Sequence, residues 1–153
     1  MEISVEIEIK ASKKAVWAEI TDIKNSARMI QSIIALEMLN EPESGLVGLK
    51  WAETRLMFGK EASETMWITE AVENEYYCTR AENCDSIYIT QLTLNQRGKN
   101  TLLTMSFTGK SEKLFIKIIS SCMSLFIKSA MRKALQKDLQ DIKTHMERNY
   151  SAH

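Results

Sequence analysis

Histidine, proline and glycine are scarce in this 153-residue chain, with two, one and five occurrences. His145 and His153 are the only histidines, so neither a Ser/His/Asp triad nor a Cys/His pair can be assembled around them. The five glycines are scattered and form no phosphate-binding loop. An enzyme built on this chain would therefore have to work with Glu, Arg and Tyr side chains.

Cysteine is scarce as well, with three occurrences and no C-x-x-C pair. They are Cys78, Cys84 and Cys122. An odd number without paired spacing predicts neither a disulfide framework nor a zinc site, and we expect no cofactor. Glu2, Glu6 and Glu8 interrupt any apolar run at the start, so no signal peptide is indicated and we expect a cytoplasmic protein.

Net charge is also lacking, because Lys+Arg and Asp+Glu both number 20. A nucleic-acid partner is therefore not expected, since such proteins usually carry a basic excess. The most apolar segment, Leu114–Met131, contains Lys117 and Lys128 and is a poor membrane span. The composition predicts a single domain over residues 1–153 with no integral membrane association, and it permits a homodimer without requiring one.

What the chain does contain is alternation, followed by helical periodicity. Residues 2–10 place Ile3, Val5, Ile7 and Ile9 on one face, which predicts a strand with one buried side. Ser12 is a suitable N-cap for a helix to about Thr21, and a short second helix is expected to about Ile30. Six further strands are predicted at 33–40, 48–58, 61–71, 75–82, 86–95 and 101–108. The short breaks between them favour antiparallel neighbours.

From Ser111 to Arg148 the chain has no Gly or Pro, which predicts one helix roughly 55 Å long. Its first half, Leu114–Met131, is apolar almost all round and is expected to cover a cavity. Its second half, Ala134–Arg148, has a thinner apolar stripe and is expected to anchor the helix. Asp138 and Asp141 are assigned to the remaining, polar faces.

Three segments carry a resemblance to a known family. They are EIEIKASKKAVWAEITD at residues 6–22, GKEASETMWITE at 59–70 and ALQKDLQDIKTHMER at 134–148, with Gly48 introducing the third strand. Together they resemble the polyketide cyclase/dehydrase and lipid-transport family of the START-like (SRPBCC) superfamily. Residues 27–30 depart from the pattern, because they lack the aromatic and proline that members often carry there. The portal contributed by the second helix is therefore expected to differ from that of the family.

The resemblance implies an α+β helix-grip fold. In that fold a seven-stranded curved antiparallel sheet wraps around a long C-terminal helix, with two short helices after the first strand. An apolar cavity between sheet and helix would hold a small hydrophobic molecule, lipid-like or polyketide-like. Members of the superfamily include carriers, sensors and enzymes, so the fold does not choose among these activities.

The candidate polar site is the hairpin around Gly59-Lys60. Taking these two residues as the turn pairs Arg55 with Glu64 and Glu53 with Met66. One face of the hairpin then carries Trp51, Glu53, Arg55, Met57, Glu64, Met66 and Ile68. Periodicity does not decide whether this face points inward, and an exposed cross-strand ladder is an alternative. The resemblance favours the inward direction for Glu64.

Two hydroxyls and one helix stripe complete the candidate ligand-binding residues. Tyr77 and Tyr88 could each donate a hydrogen bond to a bound carbonyl. The alternative for each is a half-buried aromatic side chain whose hydroxyl contacts water, and the sequence does not distinguish the two. On the helix side the candidates are Phe115, Ile119, Cys122, Met123 and Phe126, for which plain core is the alternative. Cys122 has no near basic neighbour and is expected to be inert.

Three functional hypotheses remain open at this stage. The leading one is a protein that binds a small hydrophobic molecule without catalysis. The second is a cyclase or dehydratase that uses Glu64, Arg55 and Tyr88 for positioning and general acid–base catalysis. The third is a protein-interaction or assembly factor with a vestigial cavity.

Overall fold

A computed structural model describes residues 1–57, 59–83, 86–111 and 121–150, with the backbone alone at residues 111, 121–124 and 150. Its elements are β1 (Glu2–Ile9), α1 (Lys13–Ile20), a 3₁₀ helix (Ile23–Arg28), β2 (Ile33–Asn40), β3 (Lys50–Met57), β4 (Lys60–Val72), β5 (Tyr76–Asn83), β6 (Ser86–Arg97), β7 (Asn100–Ser111) and α2 (Ser121–Tyr150). Within the described part of the chain, no helix is both long and apolar enough to cross a membrane.

The seven strands form one antiparallel sheet in the order β1-β7-β6-β5-β4-β3-β2. Strands β2 to β7 are a meander, because each pairs with the next along the chain, and β1 joins at the free edge of β7. Helix α2 packs against the sheet on the side of β1. The predicted α+β architecture of a seven-stranded antiparallel sheet with a C-terminal helix is confirmed.

Local sequence signals account for the first two elements. In β1, Ile3, Val5 and Ile9 are buried while the intervening glutamates are not, as the alternation predicted. The Ser12 hydroxyl accepts a hydrogen bond from the backbone N–H of Ala15 at 3.2 Å and so caps α1. Helix α1 then buries Val16, Trp17 and Ile20, its whole apolar stripe.

The β3–β4 hairpin has a different turn from the predicted one. Met57 pairs with Lys60, so Lys60 belongs to the paired strand and the turn is not Gly59-Lys60. Gly59 has φ 77°, a left-handed conformation that glycine adopts without steric cost. The prediction was wrong because it placed Lys60 in the loop, whereas the chain pairs Lys60 with Met57.

The register of the hairpin changes with the turn. Glu53 lies opposite Glu64, and Arg55 lies opposite Ala62, so the predicted pairing of Arg55 with Glu64 was wrong. The slip changes each partner by two residues, and side chains alternate with a period of two. Every side chain therefore keeps its predicted face while its cross-strand partner changes.

The junction between β7 and α2 also differs from the prediction. Strand β7 continues to Ser111, which pairs with Ser86 of β6, although a helix was predicted from Ser111. The backbone ladder with β6 extends this strand past Gly109, where the sequence indicated its end. Helix α2 is described from Ser121 and has 30 residues, roughly 45 Å of helix.

The core lies between the sheet and the second half of α2. Leu139, Ile142 and Met146 are at most 1% exposed, and they pack in one cluster with the buried side chains of β1 and α1. Asp138 and Asp141 are 3% and 8% exposed, so their assignment to polar outer faces was wrong. They are buried because each has partners on the short segment before β2 or on β3, as described below.

Candidate functional site

A pocket of about 400 Å³ lies between the inner face of the sheet and helix α2. Its walls come from strands β3 to β7, the 3₁₀ helix and the α2 residues from Ile127 to Ile142. The lining is mainly apolar. Eight of the residues singled out in the sequence lie in it: Trp51, Glu53, Arg55, Met57, Glu64, Met66, Tyr77 and Tyr88.

The hairpin face that the sequence left undecided is the inner one. Trp51 is 2% exposed and Glu53 is 7% exposed, whereas Leu56 on the opposite face is 52% exposed. A charged ladder on the wet face of the sheet, the alternative considered above, is therefore not what the structure has.

Two of the remaining candidates, Ile68 and Phe126, do not line the pocket. Ile68 is buried at 1% exposure, but it belongs to the core and does not line the pocket. Phe126 is 74% exposed and is also absent from the lining, so its predicted place over the cavity does not agree with the structure. Phe115 and Ile119 lie outside the described residues, and the side chains of Cys122 and Met123 do as well.

Arg55 is the centre of a buried ionic cluster in one corner of the pocket. Its Nε donates to Glu53 and its Nη1 donates to Asp138 Oδ2 at 2.5 Å. Nη1 also donates to the hydroxyl of Ser32 at 3.1 Å, and that hydroxyl donates in turn to Asp138 Oδ1 at 3.1 Å. One guanidinium thus joins strand β3, helix α2 and the segment before β2.

The two carboxylates of this cluster determine the charge state of Arg55. Burial by itself lowers the pKa of Arg55, but Glu53 and Asp138 outweigh it and raise the pKa above the ordinary value. Arg55 is consequently charged at every physiological pH. Glu53 is fixed on its other oxygen, which accepts from the indole N–H of Trp51 at 3.1 Å.

Asp138 is the functional residue that the sequence reasoning missed. It lies three residues after Leu135 and four before Ile142, so it falls within the apolar stripe of α2. An acidic residue inside such a stripe indicates a cationic partner, and the half-buried Arg55, 28% exposed, is the cation that it meets. That spacing was the available signal.

Glu64 is the unpaired carboxyl of the pocket. It lies opposite Glu53 across the hairpin, and it has no hydrogen-bond partner among the residues that the structure describes. Burial raises the pKa of Glu64, the Glu53 carboxylate raises it further, and Arg55 opposes both effects. The protonated form, which can donate a hydrogen bond, is therefore favoured relative to an ordinary glutamate.

The two candidate tyrosines differ in what their hydroxyls do. Tyr77 donates to the carbonyl of Ile20 at 3.1 Å and packs edge-on against Trp17, so its hydroxyl serves the fold. Burial raises the pKa of Tyr77, which keeps the hydroxyl protonated. Tyr88 stacks on Phe107 with 5.8 Å between ring centroids, and its hydroxyl has no partner in the described part of the chain.

Similar architectures occur among solved structures, whereas no family model and no curated protein sequence matches the chain. A START superfamily protein from Mycobacterium smegmatis is 14% identical, covers 96% of this chain and 97% of its own, and has a TM-score of 0.80. The chain has a START-like fold. TTHA0849 from Thermus thermophilus is 14% identical, with 95% of this chain and 97% of that chain covered and a TM-score of 0.79.

The START-like neighbours include aromatase/cyclases. The Zhui aromatase/cyclase from Streptomyces sp. R1128 is 12% identical, with 98% of this chain and 95% of that chain covered and a TM-score of 0.77. At this identity the likeness establishes the START-like, helix-grip fold. The aromatase/cyclase activity is a property of the neighbour named above.

Proposed function

We propose that this START-like chain binds a small, mainly apolar molecule in the pocket between the sheet and α2, without transforming it. The observation that carries the proposal is the pocket itself, about 400 Å³ with a mostly apolar wall and one polar corner. Ligand sites in proteins commonly have this combination, in which the apolar wall supplies affinity and a few polar groups fix orientation.

The chemistry of the wall supports this hypothesis. Leu92, Met105 and Phe107 on β6 and β7 face the polar corner formed by Arg55 and Glu64 on β3 and β4. An elongated apolar body would lie along the first wall, with a polar end at the second. Burial of apolar surface stabilises such a complex by about 25 cal/mol per Å².

A second candidate is an enzyme of the polyketide cyclase/dehydratase type. Two observations favour it: several START-like neighbours are aromatase/cyclases, and the pocket holds an unpaired carboxyl with a raised pKa. In this hypothesis Glu64 would take a proton from the carbon beside a ketone and return it to the hydroxyl that forms when the chain of ketones cyclises, so that water leaves and a C=C bond forms. Arg55 would polarise the neighbouring carbonyl and Tyr88 would orient the chain. Loss of water from a synthetic poly-ketone in the presence of the protein, absent with Glu64→Gln, would favour it over simple binding.

Binding is tested with a neutral fluorescent probe and a variant that fills the pocket. Thr90 lines the pocket from β6, so Thr90→Phe would place a ring in the space that the ligand needs. Nile red is expected to gain fluorescence with the wild-type protein and to bind Thr90→Phe at least about tenfold more weakly, a loss of about 1.4 kcal/mol. Native mass spectrometry of the purified protein would show any ligand that it already carries.

The matched control is Thr93→Phe, the same substitution on the same strand. Thr93 is three residues along β6, so its side chain lies on the opposite face and does not line the pocket. It is expected to leave Nile red binding unchanged. Equal loss in both variants, or no binding to the wild type together with no co-purified ligand, would reject the pocket as a binding site.

A further inference from the structure

We propose that the polar end of the ligand is an uncharged oxygen, a hydroxyl or a carbonyl, and that the pocket rejects carboxylates and phosphates. This inference rests on the proposed function and specifies the ligand class for the same pocket. It is carried by the way in which Arg55 is already bound by Glu53 and Asp138.

Arg55 is the one cationic side chain in the described pocket lining, and it would be the natural partner of an anion. Arginine binds carboxylates through two parallel N–H groups, taken either from Nε and Nη2 or from Nη1 and Nη2. Here Nε donates to Glu53, and Nη1 donates to Asp138 and Ser32. Both of these two-donor edges are therefore occupied, and no bidentate site is left for an incoming anion.

The charge balance of the polar corner points the same way. Glu53 and Asp138 together exceed the single charge of Arg55, and Glu64 adds a third carboxyl to the same wall. The ammonium of Met1 donates to the carbonyl of Gly109 on β7. Met1 lines the pocket as well, but β7 is three strands from β4, roughly 14 Å along the sheet at the usual strand spacing, so its ammonium belongs to a different part of the lining from Arg55.

What remains available in the corner suits a neutral oxygen. Nη2 of Arg55 makes no hydrogen bond within the described residues. Among those residues every buried side-chain nitrogen or oxygen has a hydrogen-bond partner, so the unpaired Nη2 is accessible to solvent. Glu64 is the other free group, and its raised pKa supports a role as donor. A ligand hydroxyl or carbonyl can accept from both without displacing Glu53 or Asp138.

The test uses three molecules with one apolar body and different polar ends: decan-1-ol, decanoate and decylamine. Each displaces Nile red from the wild-type protein at pH 7. We expect decanol to displace the probe at a concentration at least about tenfold lower than decanoate needs. Tighter binding of decanoate or of decylamine than of decanol would overturn the inference.

A generally apolar pocket would also prefer decanol, so a variant must separate the two explanations. Glu53→Gln removes the anion from Arg55 Nε while keeping an oxygen that can accept from the Trp51 indole. We expect this variant to bind decanoate at least about tenfold more tightly than the wild type, with decanol little changed. An unchanged affinity for decanoate in a folded Glu53→Gln protein would show that Arg55 does not set the selectivity.

The matched control is Glu61→Gln on β4, which removes the same charge from the exposed outer face of the hairpin. It is expected to leave all three affinities unchanged, and circular dichroism checks that each variant is folded. Should Nile red bind none of the proteins, the proposed function itself fails. Should Nile red bind while the alcohol and the carboxylate compete equally, only the ligand class proposed here fails.

Discussion

The two ends of helix α2 have opposite surroundings. Near its start, Leu125 and Phe126 are 68% and 74% exposed. Toward its end, Leu139 and Ile142 are 0% and 1% exposed. One continuous helix therefore has a leading end where Leu125 and Phe126 face outward and a trailing end that is part of the core.

This contrast agrees with the anchoring role expected for the second half, while most of the first half, Leu114–Met131, lies outside the side chains that the structure describes. The first half is the more apolar in composition, but the second half holds the helix to the sheet and brings Asp138 to Arg55. Hydrophobic content alone does not locate the core, because burial depends on which residues find a surface to pack against. The anchored half contributes Asp138 to the polar corner of the pocket.

The largest expected effect comes from the anchored half. Leu139→Ala would remove a fully buried side chain and leave a cavity in the core, at a cost of about 2–5 kcal/mol in the free energy of unfolding. Urea unfolding followed by circular dichroism would measure it. A loss below about 1 kcal/mol would mean that this half does not anchor the helix.

The second effect concerns the ion pair that joins this half to the sheet. Asp138→Ala leaves the half-buried Arg55 with Glu53 as its remaining carboxylate, and we expect a loss of about 2 kcal/mol in the free energy of unfolding. Gln140→Ala, two residues away on the exposed side of α2, is the control and should cost under about 0.5 kcal/mol. Equal stability of the two variants in thermal unfolding would contradict the structural role of the pair.

A smaller effect is expected at Glu64, which receives no partner from the described residues of α2. Its pKa is raised in the folded protein, so the folded state holds the proton more tightly than the unfolded state does. The free energy of unfolding of the wild type should therefore fall, relative to Glu64→Gln, as the pH rises from about 4.5 through the raised pKa.

The size of this pH effect is limited because Glu64 is only half-buried, and we expect less than about 1 kcal/mol. The charged groups that act on it are Glu53 and Arg55 on β3. Unfolding midpoints of the two proteins measured from pH 4 to pH 8 would reveal it. Parallel profiles would show that Glu64 titrates as an ordinary surface carboxyl.

The smallest effect is expected at the leading end of α2. Phe126→Ser replaces a side chain that is 74% exposed, so the free energy of unfolding should change by no more than about 0.5 kcal/mol. The same urea titration that is used for Leu139→Ala provides the comparison. A loss as large as that of Leu139→Ala would remove the distinction between the two ends.

Much of the fold was predictable because local signals agreed with one another. The alternation of β1, the Ser12 cap and the short breaks between strands each have a physical cause that acts within a few residues. The errors arose where contacts between elements determine the length or the register of a strand. The β6 ladder extends β7 to Ser111, and the pairing of Lys60 with Met57 sets the hairpin register.

The candidate site was predictable in part for the same reason. Period-two alternation put Trp51, Glu53 and Arg55 on one face whichever residues form the turn, so an error of register left the face unchanged. The partner of Arg55 could not be read in this way. Asp138 is 83 residues further along the chain, and only the packing of α2 against the sheet brings the two together.

The hydrogen bond from the Trp51 indole to Glu53 gives the pocket a built-in optical reporter. Trp51 is 2% exposed and lines the pocket, and the carboxylate that it touches also holds Arg55. The emission energy of an indole shifts with the electric field along its rings. A molecule that enters the polar corner, or a substitution that changes the charge of the corner, would therefore shift the fluorescence emission wavelength of Trp51.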